Sequence, residues 1–264
     1  MVKLVYDIGF HKGEDTAHYL RNGCRVVAVE ANPNLARLGE QRFKPEIAAG
    51  RLKLLNVGIA KEPGRATFHV SDNSEWSSFM EPFATRGGTH SAIIDVDCVR
   101  LDSIMGQHGV PDYLKIDIEG NDRICIDQLT RENAPRFVSV ELSRMTEDIE
   151  AFERLGYDRF KLICQNFGWM NVTPGNFRLF DLHPKNFGVR VARKVAASVA
   201  SAWSCLSGKG PLVRMSSGPL PDQTSPWLPA SIARGLVLSA SALTIKHRTG
   251  GMGWWFDIHA MKSS

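Results

Sequence analysis

The chain has no Cys-x-x-Cys pair, and its five cysteines, Cys24, Cys98, Cys125, Cys164 and Cys205, are an odd number at wide spacings. That pattern excludes a disulfide framework and a thiolate zinc site, and it points to a reducing compartment. Apolar runs of roughly 18 residues, long enough to cross a bilayer, are missing too. Asp7 interrupts the N-terminal apolar stretch too early for a secretory signal, so a cytoplasmic location is the expectation. Glycine and proline, 23 and 13 of 264 residues, show no fixed period, which excludes collagen-like and repeat architectures. His69, His90, His108, His183 and His259 show no ligand-like spacing and read as surface or packing residues.

Acid is the next thing in short supply, and only in one place. Residues 1–170 carry 21 basic and 25 acidic side chains, whereas residues 171–264 carry 11 and 3, and no acid lies between Asp181 and Asp222. An anionic partner should therefore meet this last third. Without interleaved aromatics the stretch is not a nucleic-acid signal, and no nucleic-acid partner is expected. Within it, Val189, Ala192, Ala196, Val199 and Trp203 recur at helical spacing behind Arg190, Arg193 and Lys194. The segment 187–206 reads first as a lid helix packing on the sheet edge. Its alternative is weak, salt-sensitive contact with an anionic membrane surface.

What is present is an alternation of strands and helices. β-Branched runs at Val2 to Tyr6 and Arg25 to Val29 flank a helix that starts near Glu14 and closes at Gly23. Asn32 as N-cap with Pro33 behind it opens a second helix, and a third strand follows at Leu52 to Ile59. Ala66 to Val70 and Ile93 to Val99 read as an antiparallel excursion before a helix near Asp102 to Gln107. Strands at Tyr113 to Ile116, Phe137 to Val140 and Tyr157 to Ile163 then alternate with helices near Asn121 to Leu129 and Thr146 to Leu155. A further helix is expected near Pro229 to Ile245, and a last strand, Trp254 to Ile258, should return to the sheet edge beside the previous strand. The expected fold is α/β: one domain over residues 1–264, a doubly wound, Rossmann-like, mostly parallel seven-stranded sheet with an antiparallel last strand. A lid-like insertion over about 170–252 precedes that strand.

The chemistry gathers at the strand ends. Asp7-Ile8-Gly9-Phe10-His11-Lys12-Gly13 places two glycines four apart at a strand-to-helix turn, where the backbone can pass close to a ligand. Glu30 ends the next strand, where a carboxylate accepts both hydrogen bonds of a ribose diol. The ligand expected is a nucleoside. Asp7 beside the turn would repel a pyrophosphate and attract the ammonium group of S-adenosylmethionine, so the methyl donor is favoured over a dinucleotide.

Lys115-Ile116-Asp117-Ile118-Glu119-Gly120 puts three charges at the tip of an apolar strand. Lys115 and Asp117, on one face, read equally as a structural ion pair and as functional groups, with Glu119 capping the following helix. Glu141 closes the next strand. Asp117, Glu141 and His11 are the candidates to position an acceptor hydroxyl or take its proton. Two or three carboxylates at one edge would equally suit a divalent cation, but no Asp-Asn pair follows at the expected place, and no metal is expected.

Four strings together, Tyr6-Asp7-Ile8-Gly9 with Gly13, Val29-Glu30-Ala31-Asn32-Pro33, Arg100-Leu101-Asp102-Ser103-Ile104 and Asp112-Tyr113-Leu114-Lys115-Ile116-Asp117-Ile118-Glu119-Gly120, give a sequence that resembles the FkbM family of S-adenosylmethionine-dependent methyltransferases. The similarity runs from about Lys3 to about Gln165 and resumes at Trp254 to Ala260. The resemblance implies a class I methyltransferase sheet, bound S-adenosyl-L-methionine, and methylation of a hydroxyl on a sugar or secondary metabolite, a small-molecule or glycan acceptor. It also places Asn56 and Val57 against the adenine. Phe10 and His11 depart from the small or Asn residues common there. Two other functions compete: a nicotinamide-dependent oxidoreductase, and a non-catalytic nucleoside-binding protein of the same fold.

Overall fold

The computed structural model describes residues 2–142, 146–167, 170–180, 188, 191, 194–195, 219–221, 223, 226–247 and 254–263. The fold is mixed α/β with a mostly parallel sheet, and the chain divides into two compact units, Met1–Arg136 and Phe137–Ser264.

In the first unit, β1 (Leu4–Ile8), β2 (Arg25–Val29), β3 (Leu52–Leu55) and β7 (Tyr113–Ile116) run parallel in the order β3, β2, β1, β7. All four therefore end at one edge, with Ile8 level with Val29 and Ile116. The two central strands are apolar and β-branched, and all of β7 is buried, as strands covered on both faces require. Between β1 and β2, α1 (Glu14–Arg21) ends on Asn22 and Gly23, the latter at φ +80°, the left-handed exit that glycine makes without a side-chain clash. After β2, α2 (Pro33–Arg42) opens as expected: Asn32 Oδ1 accepts the Asn34 N–H at 3.0 Å and Pro33 needs no partner for an absent N–H. Replacing Asn32 by alanine should lower stability by about 1 kcal/mol, read as a shift in the urea midpoint with unchanged slope.

The expected strand Leu52 to Ile59 is two strands. It breaks at Asn56, whose side-chain amide donates to the carbonyls of Glu30 (2.8 Å) and Ala31 (3.3 Å). The next two residues, Val57 and Gly58, turn away, and β4 (Gly58–Ile59) joins β6 (Ser91–Val99) and β5 (Gly64–Ser71) in a separate three-stranded sheet. The antiparallel excursion is thus a sheet of its own, centred on Phe68, Val96 and Cys98 with Phe79 packed edge-on against Phe68. Two short helices, α3 (Lys44–Ala48) and α4 (Glu81–Ala84), precede β3 and β6, and α5 (Leu101–His108) and α6 (Asp122–Asp127) flank β7 in sequence.

In the second unit, β8 (Phe137–Glu141) and β9 (Arg159–Cys164) both pair antiparallel with β12 (Phe256–Met261). The antiparallel last strand is as expected, but its place is not the edge: Ile258 faces Val140 on one side and Leu162 on the other. Its first five residues are all buried, which an edge position would not allow. The far side of β9 is taken by two strands that the sequence does not announce, β10 (Met170–Val172) and β11 (Leu228–Pro229). Each is too short to show an alternating pattern. Helix α7 (Glu147–Arg154) matches its expected range, and α8 (Ala230–His247) lies within two residues of its own. Arg234 of α8 pairs with Glu150 at 3.2 Å and with Glu153 of α7. The lid or membrane helix at 187–206 lies outside the described residues except at 188, 191, 194 and 195. Among the described residues no helix is long and apolar enough to cross a membrane.

Candidate functional site

The site of the first unit is built at the carboxyl edge of β1, β2 and β7. The turn after β1 is held from below. Gly9 and Phe10 donate their N–H groups to the carbonyl of Val29 at 3.1 and 2.9 Å, and Gly9 (φ +93°), His11 (φ +52°) and Gly13 (φ +74°) carry the chain through left-handed conformations into α1. The glycines are required by packing. A Cβ on Gly9 would stand 1.8 Å from the carbonyl oxygen of Asp117, and one on Gly13 would meet the rings of Phe10 and Phe43 at 2.5 to 2.7 Å. Phe10 is buried, its ring edge-on to Phe43 and against Gly13 and Gly39.

Lys115 is the hub, with more partners than the Asp117 that the strand pattern pairs with it. Its ammonium is buried, donates to the carbonyl of Gly9 at 2.9 Å, and faces Asp7 Oδ1 at 3.0 Å, Asp15 Oδ2 at 3.8 Å and Asp117 Oδ2 at 3.9 Å. Burial alone would lower the lysine pKa, but Asp7, Asp117 and Asp15 outweigh it and hold the group charged well above its ordinary value. Asp7 has no exposed surface and also accepts a 2.6 Å hydrogen bond from the Thr16 hydroxyl. Its charge therefore acts from beneath the turn, not by touching a ligand's ammonium. Asp117, 30% exposed, is the member that reaches the surface of the edge. Asp15 is the further partner: the signal for it is an acid in the first turn of a helix, two residues past Gly13, on the same buried face as His18 and Tyr19.

Glu30, buried at the tip of β2, joins two turns at once. One carboxylate oxygen accepts the His11 N–H at 2.7 Å and the other accepts the Asn32 N–H at 2.8 Å. Burial pushes its pKa up to about 7, against the pull of those two N–H groups. An ionised carboxylate has about four acceptor positions, and these two N–H groups take two of them. Asn56, exposed, stands on the carbonyl of the same Glu30, with half-buried Val57 next to it.

The loop between β5 and β6 reaches this edge. Ser74 Oγ lies 2.8 Å from His11 Nε2, Ser78 Oγ donates to the Glu119 carbonyl at 2.8 Å, and Arg86 grips the Glu119 carboxylate with both terminal nitrogens at 3.0 and 3.1 Å while stacking over Trp76. Burial lowers the His11 pKa from its ordinary value, against the pull of Glu14. Glu119 does not cap the following helix as expected. It sits at φ +47°, turned to Arg86, and the helix has no side-chain cap; Asp122, its first residue, reaches back instead, its carboxylate accepting the N–H groups of Ile118 (2.9 Å) and Gly120 (3.3 Å) in the turn before it. The contribution of Arg86 and Ser74 has no sequence signature, because their loop belongs to the other sheet. In the second unit Glu141 ends β8, half-buried, in register with the buried Asp257 of β12.

Burial raises Glu30 and Glu119 to about 7 and Asp122 to about 6 from ordinary values of 4.5, 4.5 and 3.8. A carboxyl whose folded pKa is raised binds its proton more tightly folded than unfolded. Its contribution is thus greatest below the unfolded pKa and is lost as pH climbs from about 4.5 through about 7. The melting temperature of the protein relative to its Glu30→Gln variant should accordingly fall between pH 5 and pH 8; a flat difference would contradict the shift.

A glycine turn with a buried carboxylate at the next strand tip, at the carboxyl edge of a parallel sheet, is where wound folds take nucleoside ligands. Residues 7–159, more than half of the chain, match the family model of the methyltransferase FkbM domain. The protein is an S-adenosylmethionine-dependent methyltransferase, and the chain belongs to the FkbM methyltransferase family. No curated protein matches it in sequence. Among solved structures it is similar to the precorrin-6y C5,15-methyltransferase of Geobacter metallireducens, at 13% identity over 99% of this chain and 81% of that one, with a TM-score of 0.40. It is also similar to an O-methyltransferase of a trans-AT PKS multienzyme of Brevibacillus brevis in complex with S-adenosyl-L-homocysteine, at 11% identity over 98% of this chain and 67% of that one, TM-score 0.39. A third is phosphoethanolamine N-methyltransferase 2 of Haemonchus contortus with S-adenosyl-L-methionine, at 11% identity over 100% of this chain and 49% of that one, TM-score 0.39.

Proposed function

We propose that the protein methylates a hydroxyl of a sugar or secondary metabolite, a small-molecule or glycan acceptor, in the cytoplasm, with the donor seated on the turn after β1. The observation that carries the reading is Glu30: a buried carboxylate at the tip of β2, beside a glycine turn. Such a group fits a ribose diol. Gly9 and Gly13 shape the turn, Asp7 and Lys115 hold it from below, and Asn56 and Val57 flank the adenine side. The buried thiols Cys24, Cys98, Cys125 and Cys164 suit a reducing compartment.

When bound, S-adenosylmethionine supplies a methyl group on a positively charged sulfur that leaves as a neutral thioether. The residues' task is to align an acceptor oxygen with that methyl and to receive its proton. Asp117 is placed for it, exposed enough to meet a hydroxyl and fastened by Lys115. His11, with Ser74 on its Nε2, is the second candidate, and Glu141 the third. Glu30→Ala should weaken S-adenosylhomocysteine binding by about 1 to 3 kcal/mol, the worth of hydrogen bonds to a charged acceptor. Calorimetry reads this directly, and an unchanged titration with a native circular dichroism spectrum would reject the seat. For the acceptor, label transfer from S-adenosylmethionine to a panel of methyl glycosides and polyketide alcohols is the test; methylation confined to amines or carbon centres would overturn the hydroxyl reading.

A further inference from the structure

The loop that joins β5 to β6 has two halves of different character. Up to Phe79 it is fastened to the small sheet: His69 and Ser78 exchange N–H to carbonyl bonds at 2.9 and 3.0 Å, the Ser77 hydroxyl accepts the Ser71 N–H at 3.1 Å, and Phe79 packs edge-on against Phe68. From Met80 to Gly88 the chain bonds chiefly to itself. Ala84 donates its N–H to the Met80 carbonyl at 3.3 Å, Thr85 to that of Glu81 at 2.9 Å, and the Thr89 hydroxyl lies 2.9 and 3.1 Å from the carbonyls of Ala84 and Arg86. This half is exposed at both ends, at Met80 and at Gly87 and Gly88, and the two glycines stand at φ +69° and +81°, a pair of backbone positions that can absorb a swing. Its tie to the rest of the unit is the turn after β7. Arg86 holds the Glu119 carboxylate, and a Cβ on Gly120 would meet the Phe83 ring at 2.8 to 3.0 Å. The side chains of Arg86 and Glu119 are 34% and 17% exposed, so water can take the place of either partner. Glu119 itself stands at φ +47°, a left-handed conformation that a non-glycine residue keeps only where its surroundings impose it.

The loop meets both turns that border the donor seat. Its fixed half puts Ser74 on His11 of the turn after β1, and its free half puts Arg86 on Glu119, two residues past the Asp117 carbonyl that packs against Gly9. We propose that residues 80–88, with α4 at their centre, are a flap over the donor seat, and that Arg86 is the positioning residue that latches the flap on Glu119. S-Adenosylmethionine enters and S-adenosylhomocysteine leaves when that pair parts. The proposal rests on the seat on the turn after β1 described above. Trp76, on the fixed half, holds the guanidinium from the other side, its ring centre 4.8 Å away, and keeps Arg86 aimed at Glu119 while the flap is down. A latch that is equally strong with and without ligand shifts no binding equilibrium. It sets instead how often the seat is open, and so it slows entry and exit alike.

Surface plasmon resonance with the immobilised protein and S-adenosylhomocysteine reads both rate constants. Arg86→Ala should raise association and dissociation together, each by on the order of three- to tenfold, and leave Kd within about twofold of the wild type. Arg86→Lys keeps the charge but loses the two-pronged grip, and its rates should fall between the two. Arg123→Ala, which breaks the neighbouring pair with Asp127 on α6, should leave both rates where they are. Unchanged rates in Arg86→Ala overturn the flap, whatever happens to its melting temperature. Faster dissociation with association unchanged or slower would make Arg86 a support of the seat itself and overturns the flap as well, and so does an equal acceleration in Arg123→Ala, the mark of a general loosening. Glu30→Ala separates the two proposals. If this variant binds S-adenosylhomocysteine like the wild type, the seat falls and the flap with it, whereas weakened binding there beside wild-type rates in Arg86→Ala removes the flap alone.

Discussion

Gly9→Ala is expected to cost about 2 to 5 kcal/mol of stability and to remove donor binding, the larger of the glycine effects in this chain. Two terms add. A non-glycine residue at φ +93° is strained by about 1 to 2 kcal/mol, and forcing atoms into filled space costs about 1 to 3 more. The obstacle is a backbone carbonyl, that of Asp117, 1.8 Å from where the Cβ would be. It cannot swing aside like a side chain, because the N–H of Asp117 is bonded to the carbonyl of Ile8 at 2.9 Å. Gly23 is the control. It has a similar φ of +80° but nothing within 4 Å of a Cβ, so Gly23→Ala should show the strain term alone, about 1 kcal/mol. Urea unfolding of both variants, with a titration of S-adenosylhomocysteine into Gly9→Ala, checks the pair; equal destabilisation would refute the steric argument.

The second large effect belongs to Lys115→Met. Removing one member of a buried ion pair leaves its partners charged and unsatisfied, at about 3 to 5 kcal/mol. Here two carboxylates, Asp7 and Asp15, are buried with it. Asp7→Asn in the same chain should recover a substantial part, since the amide oxygen can still accept from Thr16. The two single variants should therefore fail to add in a double-mutant cycle. The sign of the pH dependence is fixed. The lysine pKa is raised on folding, so its contribution is complete below the unfolded value and is lost only as pH rises through the higher folded one. Between pH 6 and pH 9 the deficit of Lys115→Met should stay level. A deficit that varied strongly there would mean that another group, not the lysine, is titrating.

Which parts were readable in the sequence follows from how local their causes are. The strand Arg25–Val29 and the start of α2 at Pro33 stand where the residues place them, because a β-branched run and an Asn-Pro cap act within a few residues. Glu30 and Gly9 were legible for the same reason: a strand tip and a turn are fixed by position along the chain. Lys115 was visible as a charge in an apolar strand, but its partners come from β1 and α1, a hundred residues away in sequence for Asp7 and Asp15. Arg86 lies further out of reach, since nothing in Arg86-Gly87-Gly88 says that the small second sheet leans its loop toward Glu119. The interior place of β12 was misread because apolar alternation describes a strand's faces, not its two edges.

That interior strand sets an order of events during synthesis. The hydrogen-bonding edges of β8 and β9 are both satisfied by β12, and every residue between Cys164 and Phe256 must leave the ribosome before β12 arrives. Until then the two strands present open edges, the kind that recruit a neighbouring chain. The four parallel strands of the first unit are paired with one another without β12. Nascent chains stalled before Phe256 should hence show protease-resistant Met1–Arg136 and an exposed remainder, making the second unit the natural client of holdase chaperones.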